Sequence, residues 1–210
     1  MRARIRSSFD RSSGDEEPFP STIDPRIYHV KLIREHWGAL GGKRVRNGGC
    51  GKGRFARALL EQDPELRSLD ISDEMLRFVP TGVRTRVGSM TGLPFENDFF
   101  DGAYATESLE HAVEIERALS EICRVVRPWG RIIVIDKNAG HWGKLKTPEW
   151  ELWFTRTELE RLVARHLPAS FEPLHFLLGR REAGRLIHRL AGCKVTPRFC
   201  PGSANPRETM

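Results

Sequence analysis

The residues from Val45 to Phe55 join a short strand-like run to three glycines at alternate positions, Gly49, Gly51 and Gly53. Glycine lacks a Cβ atom, so it tolerates a positive φ and lets a ligand lie directly against the backbone. In open α/β sheets, a glycine-rich turn after the first strand forms the floor of a nucleotide pocket. The segment therefore predicts a strand, a tight turn and a helix that together bind a nucleotide-like ligand.

An acid follows at the position where such a pocket would hold a ribose. Asp70 ends the next apolar run, seventeen residues after Gly53, and Ser72 then begins a helix. Folds of this kind use an acid at the tip of the second strand to accept hydrogen bonds from ribose hydroxyls. The glycine spacing is G-x-G-x-G, one residue shorter than the dinucleotide fingerprint G-x-G-x-x-G. This difference favours S-adenosylmethionine (SAM) over NAD.

Glu110 and His111 are the candidates for acid–base chemistry. They follow the predicted fourth strand, 100–105, at the carboxyl edge of the sheet. Histidine titrates near neutral pH and can take a proton from a hydroxyl group or an acidic carbon. The alternative is that the two residues simply begin the next helix. The tryptophans between Trp142 and Trp153 either cover an apolar substrate or pack in the core.

Alternating strands and helices must position these residues. Predicted strands cover 43–48, 66–70, 83–88, 100–105 and 132–135, with a further candidate at 171–178. Predicted helices include 54–62, one that starts after Ser72, and 112–126. This alternation predicts an α/β fold with a Rossmann-like, doubly wound and mostly parallel sheet of six or seven strands, with helices on both faces.

Further motifs occur in a fixed order after the glycine turn. They are Leu69–Ser72, Leu93–Asp101, Glu107–His111 and Ala118–Asp136. With the glycine turn, this set resembles the Rossmann-like SAM-dependent methyltransferases, particularly the small-molecule subgroup that includes the quinone-biosynthesis C-methyltransferases. The resemblance covers residues 43–138.

The resemblance implies a SAM-dependent methyltransferase that moves a methyl group to an O, N or C atom of a small-molecule metabolite by in-line displacement. It implies a cofactor site built from Asn47, Gly49, Cys50, Gly51, Gly53, Asp70, Ile71, Ser89, Met90 and Thr106. Glu110 and His111 remain the catalytic candidates, and no metal ion is expected.

Three residues depart from the family pattern. Asn47 and Ser89 stand where the family usually has acids, and Arg46 stands where an apolar strand residue is usual. Burying an unpaired guanidinium is expensive. These departures leave open an alternative in which the chain is a non-catalytic binding or regulatory protein that keeps the fold.

Composition predicts the domain organisation. The 210 residues, 39% hydrophobic and 30% charged, suit one globular domain. We expect a disordered basic arm over 1–21, a methyltransferase domain over 22–178, and a partly disordered basic extension over 179–210. No apolar run is long enough to span a membrane, and the four cysteines form no C-x-x-C pair, so we expect a cytoplasmic protein without zinc or disulfides. The early arginines also resemble a transit peptide, but four nearby acids oppose that interpretation.

The basic end of the chain suggests a second alternative, an RNA methyltransferase. Residues 171–210 carry seven Lys or Arg against three Asp or Glu. Single-strand binding would favour aromatic residues interleaved with these arginines, and Phe199 alone lies among them. The Asn/Asp-Pro-Pro-aromatic tetrapeptide typical of amino-methylating nucleic-acid enzymes is also absent after the fourth strand. A small-molecule acceptor is therefore favoured, and the sequence leaves the oligomeric state open.

Overall fold

The computed structural model describes residues 1–137, 139 and 148–165, and the backbone of 190–195. Its centre is a sheet of five parallel strands with a sixth, antiparallel strand at one edge. The strands are β1 (Arg44–Gly48), β2 (Glu65–Asp70), β3 (Arg84–Val87), β4 (Phe100–Thr106), β5 (Val126–Lys137) and β6 (Leu190–Val195). The predicted Rossmann-like, mostly parallel sheet is confirmed.

The strand order is β3-β2-β1-β4-β5-β6, so the direction of chain progression reverses between β1 and β4. Beyond the carboxyl ends of neighbouring strands at such a reversal, the connecting loops separate and leave a crevice. The predicted glycine turn follows β1, Asp70 ends β2, and Glu110 and His111 follow β4. The topology therefore brings all three predicted motifs to one edge of the sheet.

Helices cover both faces of the sheet, as predicted. They are α1 (Arg2–Arg11), α2 (Tyr28–Trp37), α3 (Arg54–Leu59), α4 (Asp73–Leu76), α5 (Ile115–Val125) and α6 (Arg156–Ala164), with single 3-10 turns at 60–62 and 109–111. Leu119 of α5 and Leu159 of α6 pack with Val134 in the core on one face. Ile33 of α2 and Leu59 of α3 pack on the opposite face.

Capping residues explain where two of these helices begin. The Ser72 hydroxyl accepts a hydrogen bond from the Met75 N–H and so caps α4. Thr155 and Glu158 form a reciprocal capping box at the start of α6. Each arrangement satisfies backbone N–H groups that have no partner within the helix.

The first 21 residues differ from the expected disordered arm. Residues 2–11 form α1, and Ile5 is only 2% exposed. Ile5 and Phe9 lie four residues apart, so they share one face of the helix, and Phe9 meets Phe19 edge to face with centroids 5.7 Å apart. The sequence does not reveal this small apolar face, because four arginines stand among the first eleven residues. One of them, Arg4, pairs with Glu149.

The carboxyl-terminal predictions fall mostly outside the described residues. The candidate strand at 171–178 lies there entirely, as do Trp142 and most of the 179–210 extension. Within that extension, Leu190–Val195 pairs with β5, which adds a strand where the sequence predicts a basic tail. Among the helices in the described ranges, none has the length and apolar character needed to cross a membrane.

Candidate active site

The glycine turn after β1 is held in a conformation that its glycines make available. Gly49, Gly51 and Gly53 all have positive φ, at 65°, 52° and 77°. A Cβ on Gly49 would lie 2.5 Å from the Cβ of Ser108, which is closer than real side chains approach. The same atom on Gly51 would meet nothing within 4 Å. The turn is therefore tightly packed at Gly49 and open at Gly51.

Asp70 ties this turn to the loop after β2. One carboxylate oxygen accepts the Gly51 N–H at 2.7 Å, and the other accepts the Ser72 N–H at 2.9 Å. Burial raises the pKa of the Asp70 carboxyl, while these backbone hydrogen bonds oppose the rise. The Asp70 side chain therefore fixes the relative position of two pocket loops.

A cavity of about 200 Å³ opens at this edge of the sheet. Most of the predicted site residues line it: Asn47, Gly49, Cys50, Gly51, Asp70, Ile71, Ser89, Met90, Thr106 and His111. Gly53 and Glu110 are not among the lining residues. Gly53 instead lies against Val79 and Pro80, where an added Cβ would come within 3.0 Å of the proline ring. Gly53 is the N-cap of α3, and its positive φ lets the chain turn into that helix.

Three buried polar atoms of cavity-lining residues lack a hydrogen-bond partner among the described residues. They are Nδ2 of Asn47 in β1, Oγ1 of Thr106 in β4, and Nδ1 of His111 in the turn after β4. Leaving such a group unpaired inside a protein costs about 1–3 kcal/mol. A polar ligand in the cavity would remove that cost. The site thus suits a ligand that combines polar groups with an extended contact to the backbone.

Arg46 lies outside the cavity lining, whereas Ser89 is part of it. Arg46 is fully buried, and none of its guanidinium nitrogens has a hydrogen-bond partner in the described part of the chain. Burial lowers its pKa to about 10. The guanidinium lies beneath the turn, since a Cβ on Gly48 would be 2.7 Å from Nη1. Ser89, at the cavity wall, shares a 2.9 Å hydrogen bond with Thr91.

Glu110 lies directly behind the cavity wall. Its side chain is fully buried, and Oε1 is 2.8 Å from Nζ of Lys137. Burial raises the pKa of Glu110 to about 7, although the neighbouring ammonium opposes the rise. The backbone N–H of Glu110 donates to Asp136 at 3.1 Å, which fixes the turn after β4. The carboxyl group can therefore hold or release a proton near neutral pH.

His111 faces the cavity beside Glu110. Its Nε2 lies 3.7 Å from Glu110 Oε1, and its ring meets Phe9 edge to face at 5.1 Å. Its Nδ1 is buried and has no hydrogen-bond partner among the described residues. Burial lowers the pKa of His111 to about 4, so the imidazole is neutral at neutral pH. A neutral imidazole keeps one lone pair to receive a proton.

Lys137 is a site residue that the sequence analysis missed. It ends β5 and lines the cavity, and its Nζ lies 2.6 Å from Glu151 as well as 2.8 Å from Glu110. Glu110, His111 and Glu151 offer ligand atoms within 4.8 Å of one another, a spacing that could hold a metal ion. The Lys137 ammonium already pairs with the carboxylates of Glu110 and Glu151, as a bound cation would. The end of β5 at the same sheet edge was the signal that could have identified Lys137.

The amino-terminal segment forms a further part of the cavity wall. Phe9, Pro18, Phe19 and Pro20 line the cavity. Lys52, in the glycine turn, anchors this segment through an ammonium 2.7 Å from Glu16. The charged composition of this segment predicts disorder, which is why the wall could not be anticipated from the sequence.

Glu107 completes the rim after β4. It has a positive φ of 49°, an uncommon conformation for a residue with a side chain. Its carboxylate accepts a 2.7 Å hydrogen bond from Arg54 of α3. Strained backbone held by surrounding contacts is characteristic of binding sites.

Comparison with known proteins adds sequence relatives. Residues 47–134 match the family described as "Methyltransferase domain". The O-methyltransferase cnsE of Penicillium expansum is 32% identical over 110 residues, which cover 48% of this chain and 40% of the relative. The demethylmenaquinone methyltransferase of Renibacterium salmoninarum is 28% identical over 123 residues, covering 56% and 51%. The chain spans about half the length of the curated relatives it matches.

A solved structure extends the likeness over most of the chain. It is a chain from the complex between the Haloferax volcanii Trm112 methyltransferase activator and a methyltransferase. It superposes with a TM-score of 0.72 at 18% identity, covering 90% of this chain and 98% of that one. At this identity the match shows a shared fold.

Proposed function

We propose that this chain, whose residues 47–134 match the family described as "Methyltransferase domain", is a SAM-dependent methyltransferase that transfers a methyl group from SAM to an O, N or C atom of a small molecule. The observation that carries the proposal is a single cavity that joins the glycine turn, Asp70 and His111. A ligand in this cavity can touch both the predicted cofactor residues and a side chain able to move a proton.

The residues present fit SAM. The open face at Gly51 can lie against its methionine part, and Asp70 can accept hydrogen bonds from its ribose hydroxyls. Ser89 and Met90 would lie beside its adenine. Asn47 supports this assignment because its buried Nδ2 needs an acceptor, and the methionine carboxylate is one. When bound, SAM supplies a methyl group activated by the sulfonium, so the protein mainly provides proximity and alignment.

We assign the proton that the acceptor loses to His111 first and then to Glu110. The His111 imidazole would accept the proton that the acceptor loses when it takes the methyl group that bound SAM supplies. Glu110, 3.7 Å behind it, stabilises the imidazolium and can finally hold the proton. Its pKa of about 7 suits this role, because the ionised form is available near neutral pH.

The proposal is tested by following S-adenosylhomocysteine formation from SAM with panels of phenols, carboxylic acids, amines and activated carbon acids. His111→Phe keeps an aromatic ring against Phe9 but removes both nitrogens. We expect it to lower the rate by about 10²–10⁴-fold while S-adenosylhomocysteine affinity stays within about threefold.

The pH profile provides a second readout of the same proposal. Glu110 must be ionised to receive a proton, so the rate should rise with pH through about 7. Glu110→Gln should remove that limb. Binding of SAM without turnover in any acceptor class would favour the non-catalytic alternative.

A further inference from the structure

Lys137 is positioned to do more than neutralise two acids. An ammonium group has three N–H donors. Two of them can serve the carboxylates of Glu110 and Glu151, at 2.8 and 2.6 Å. Lys137 is also part of the cavity wall, and 24% of its side chain is exposed. The ammonium also lies 5.5 Å from the centroid of the Trp153 ring, a contact that uses its charge but accepts no conventional hydrogen bond. A third N–H donor can therefore serve a group inside the cavity.

The remainder of that wall selects an aromatic partner. Phe9 and Phe19 meet edge to face, and Pro18 and Pro20 flank the second ring. Val113 adds a further apolar side chain to the lining. Aromatic rings favour edge-to-face and offset contacts with other rings. The cavity thus combines an apolar wall with the Lys137 ammonium beside His111. Lys52 also lines the cavity, but its ammonium pairs with Glu16.

We propose that Lys137 binds the acceptor oxygen and that the acceptor is a phenol, held on Lys137 as its phenolate. This inference rests on the proposed function, since the cavity must also hold the methyl donor. It narrows the acceptor from an O, N or C atom to an aromatic oxygen.

The charges around Lys137 balance in this arrangement. The groups facing it are Glu110, Glu151 and His111, and Glu107 lies nearby, paired with Arg54. A phenolate brings one negative charge to a cluster that already holds two carboxylates and one ammonium. Proton uptake by Glu110 removes one of those charges, so the sum is unchanged.

The chemical step follows from this balance. The phenol O–H bond breaks, and the proton passes by way of His111 to Glu110. The phenolate oxygen, hydrogen-bonded to Lys137, uses an electron pair to form the O–CH₃ bond. The methyl–sulfur bond breaks at the same time and returns its electron pair to sulfur, which becomes a neutral thioether. His111 is a weak base because its pKa is lowered. It suffices here because the Lys137 ammonium stabilises the phenolate that forms when His111 takes the proton.

The experiment compares two probes on the full chain saturated with S-adenosylhomocysteine. One is 4-nitrophenol, whose phenol and phenolate forms differ in absorbance, and the other is 4-nitroanisole, which has the same ring but no ionisable oxygen. We expect the protein to bind nitrophenolate about 10- to 100-fold more tightly than nitroanisole, as one charge-assisted hydrogen bond would give. The apparent pKa of nitrophenol should fall on binding.

Lys137→Met should abolish the preference and leave nitroanisole affinity unchanged. Because this change leaves Glu110 and Glu151 unpaired, Lys137→Met combined with Glu151→Gln keeps the cluster charge constant and should give the same result. Lys137→Arg should retain the preference, and unchanged S-adenosylhomocysteine affinity shows that each variant has folded.

Three results would overturn the inference: equal binding of the two probes, binding of neither probe, or a preference that survives Lys137→Met. In each of these cases the proposed function stands if S-adenosylhomocysteine still binds. Failure of S-adenosylhomocysteine itself to bind would instead refute the proposed function, so the two failures are distinguishable.

Discussion

The two ends of the cavity are built in different ways. At the proposed cofactor end, backbone groups define the site: the turn at Gly49 and Gly51 is fixed by its φ angles, and Asp70 is held by backbone N–H donors. At the proposed acceptor end, side chains from separate segments define it, with Lys137 joining Glu110 to Glu151. A site built from backbone geometry requires particular residue types at fixed spacing, so it suits a whole class of ligands. A site built from side chains requires only that they lie close together, so its residues can be specific to one acceptor.

The strongest way to break the cofactor end is to place a side chain at Gly49. Gly49→Ala imposes both a positive φ and a 2.5 Å contact with Ser108. We expect the free energy of unfolding to fall by about 3 kcal/mol or more and S-adenosylhomocysteine binding to be lost. Denaturant titration and calorimetry measure the two effects.

Gly51→Ala is the matched control for that variant. It carries a similar positive φ of 52°, but the added Cβ meets nothing within 4 Å. Only the conformational penalty of about 1–2 kcal/mol should remain. Equal destabilisation by the two alanines would show that the contact with Ser108 does not shape the turn.

Substitution of Arg46 tests whether the residues beneath the glycine turn contribute to ligand affinity or only lower the stability of the fold. Its guanidinium is fully buried with no hydrogen-bond partner in the described residues, so Arg46→Leu should raise the free energy of unfolding by about 1–4 kcal/mol. Affinity for S-adenosylhomocysteine should change little, because Arg46 is not among the residues that line the cavity.

The neighbouring arginine in β2 provides the comparison. Arg67 lies beside Arg46 in the sheet but pairs with Glu65 at 2.7 Å and remains partly exposed. Arg67→Leu should change stability by no more than about 1 kcal/mol. Destabilisation by Arg46→Leu would contradict the view that this guanidinium is uncompensated.

The same contrast explains what could be predicted from the sequence. The glycine turn and Asp70 were identifiable because spacing alone encodes their geometry, and alternating strands and helices gave the sheet. Lys137 ends β5 at the same sheet edge, but its role could not be predicted, since its partners are separated from it by 14 and 27 positions along the chain. The amino-terminal wall was missed because a few apolar residues, such as Ile5 and Phe9, lie among many charges. Glu110 was identified, but its burial behind the wall depends on packing that spacing does not encode.

The central claim is that the glycine turn and Asp70 form a SAM site, and calorimetric titration with SAM and S-adenosylhomocysteine tests it most directly. We expect micromolar binding that weakens by about 100-fold or more in Asp70→Ala. This variant lacks the carboxylate, and with it the proposed ribose contacts and both loop hydrogen bonds. Asp101→Ala is the control, because Asp101 also accepts a backbone N–H, from Arg44 at 2.7 Å, but does so at the start of β4, away from the cavity. That variant should retain full affinity. Failure of the unmodified chain to bind either ligand, or equal binding by Asp70→Ala, would contradict the account.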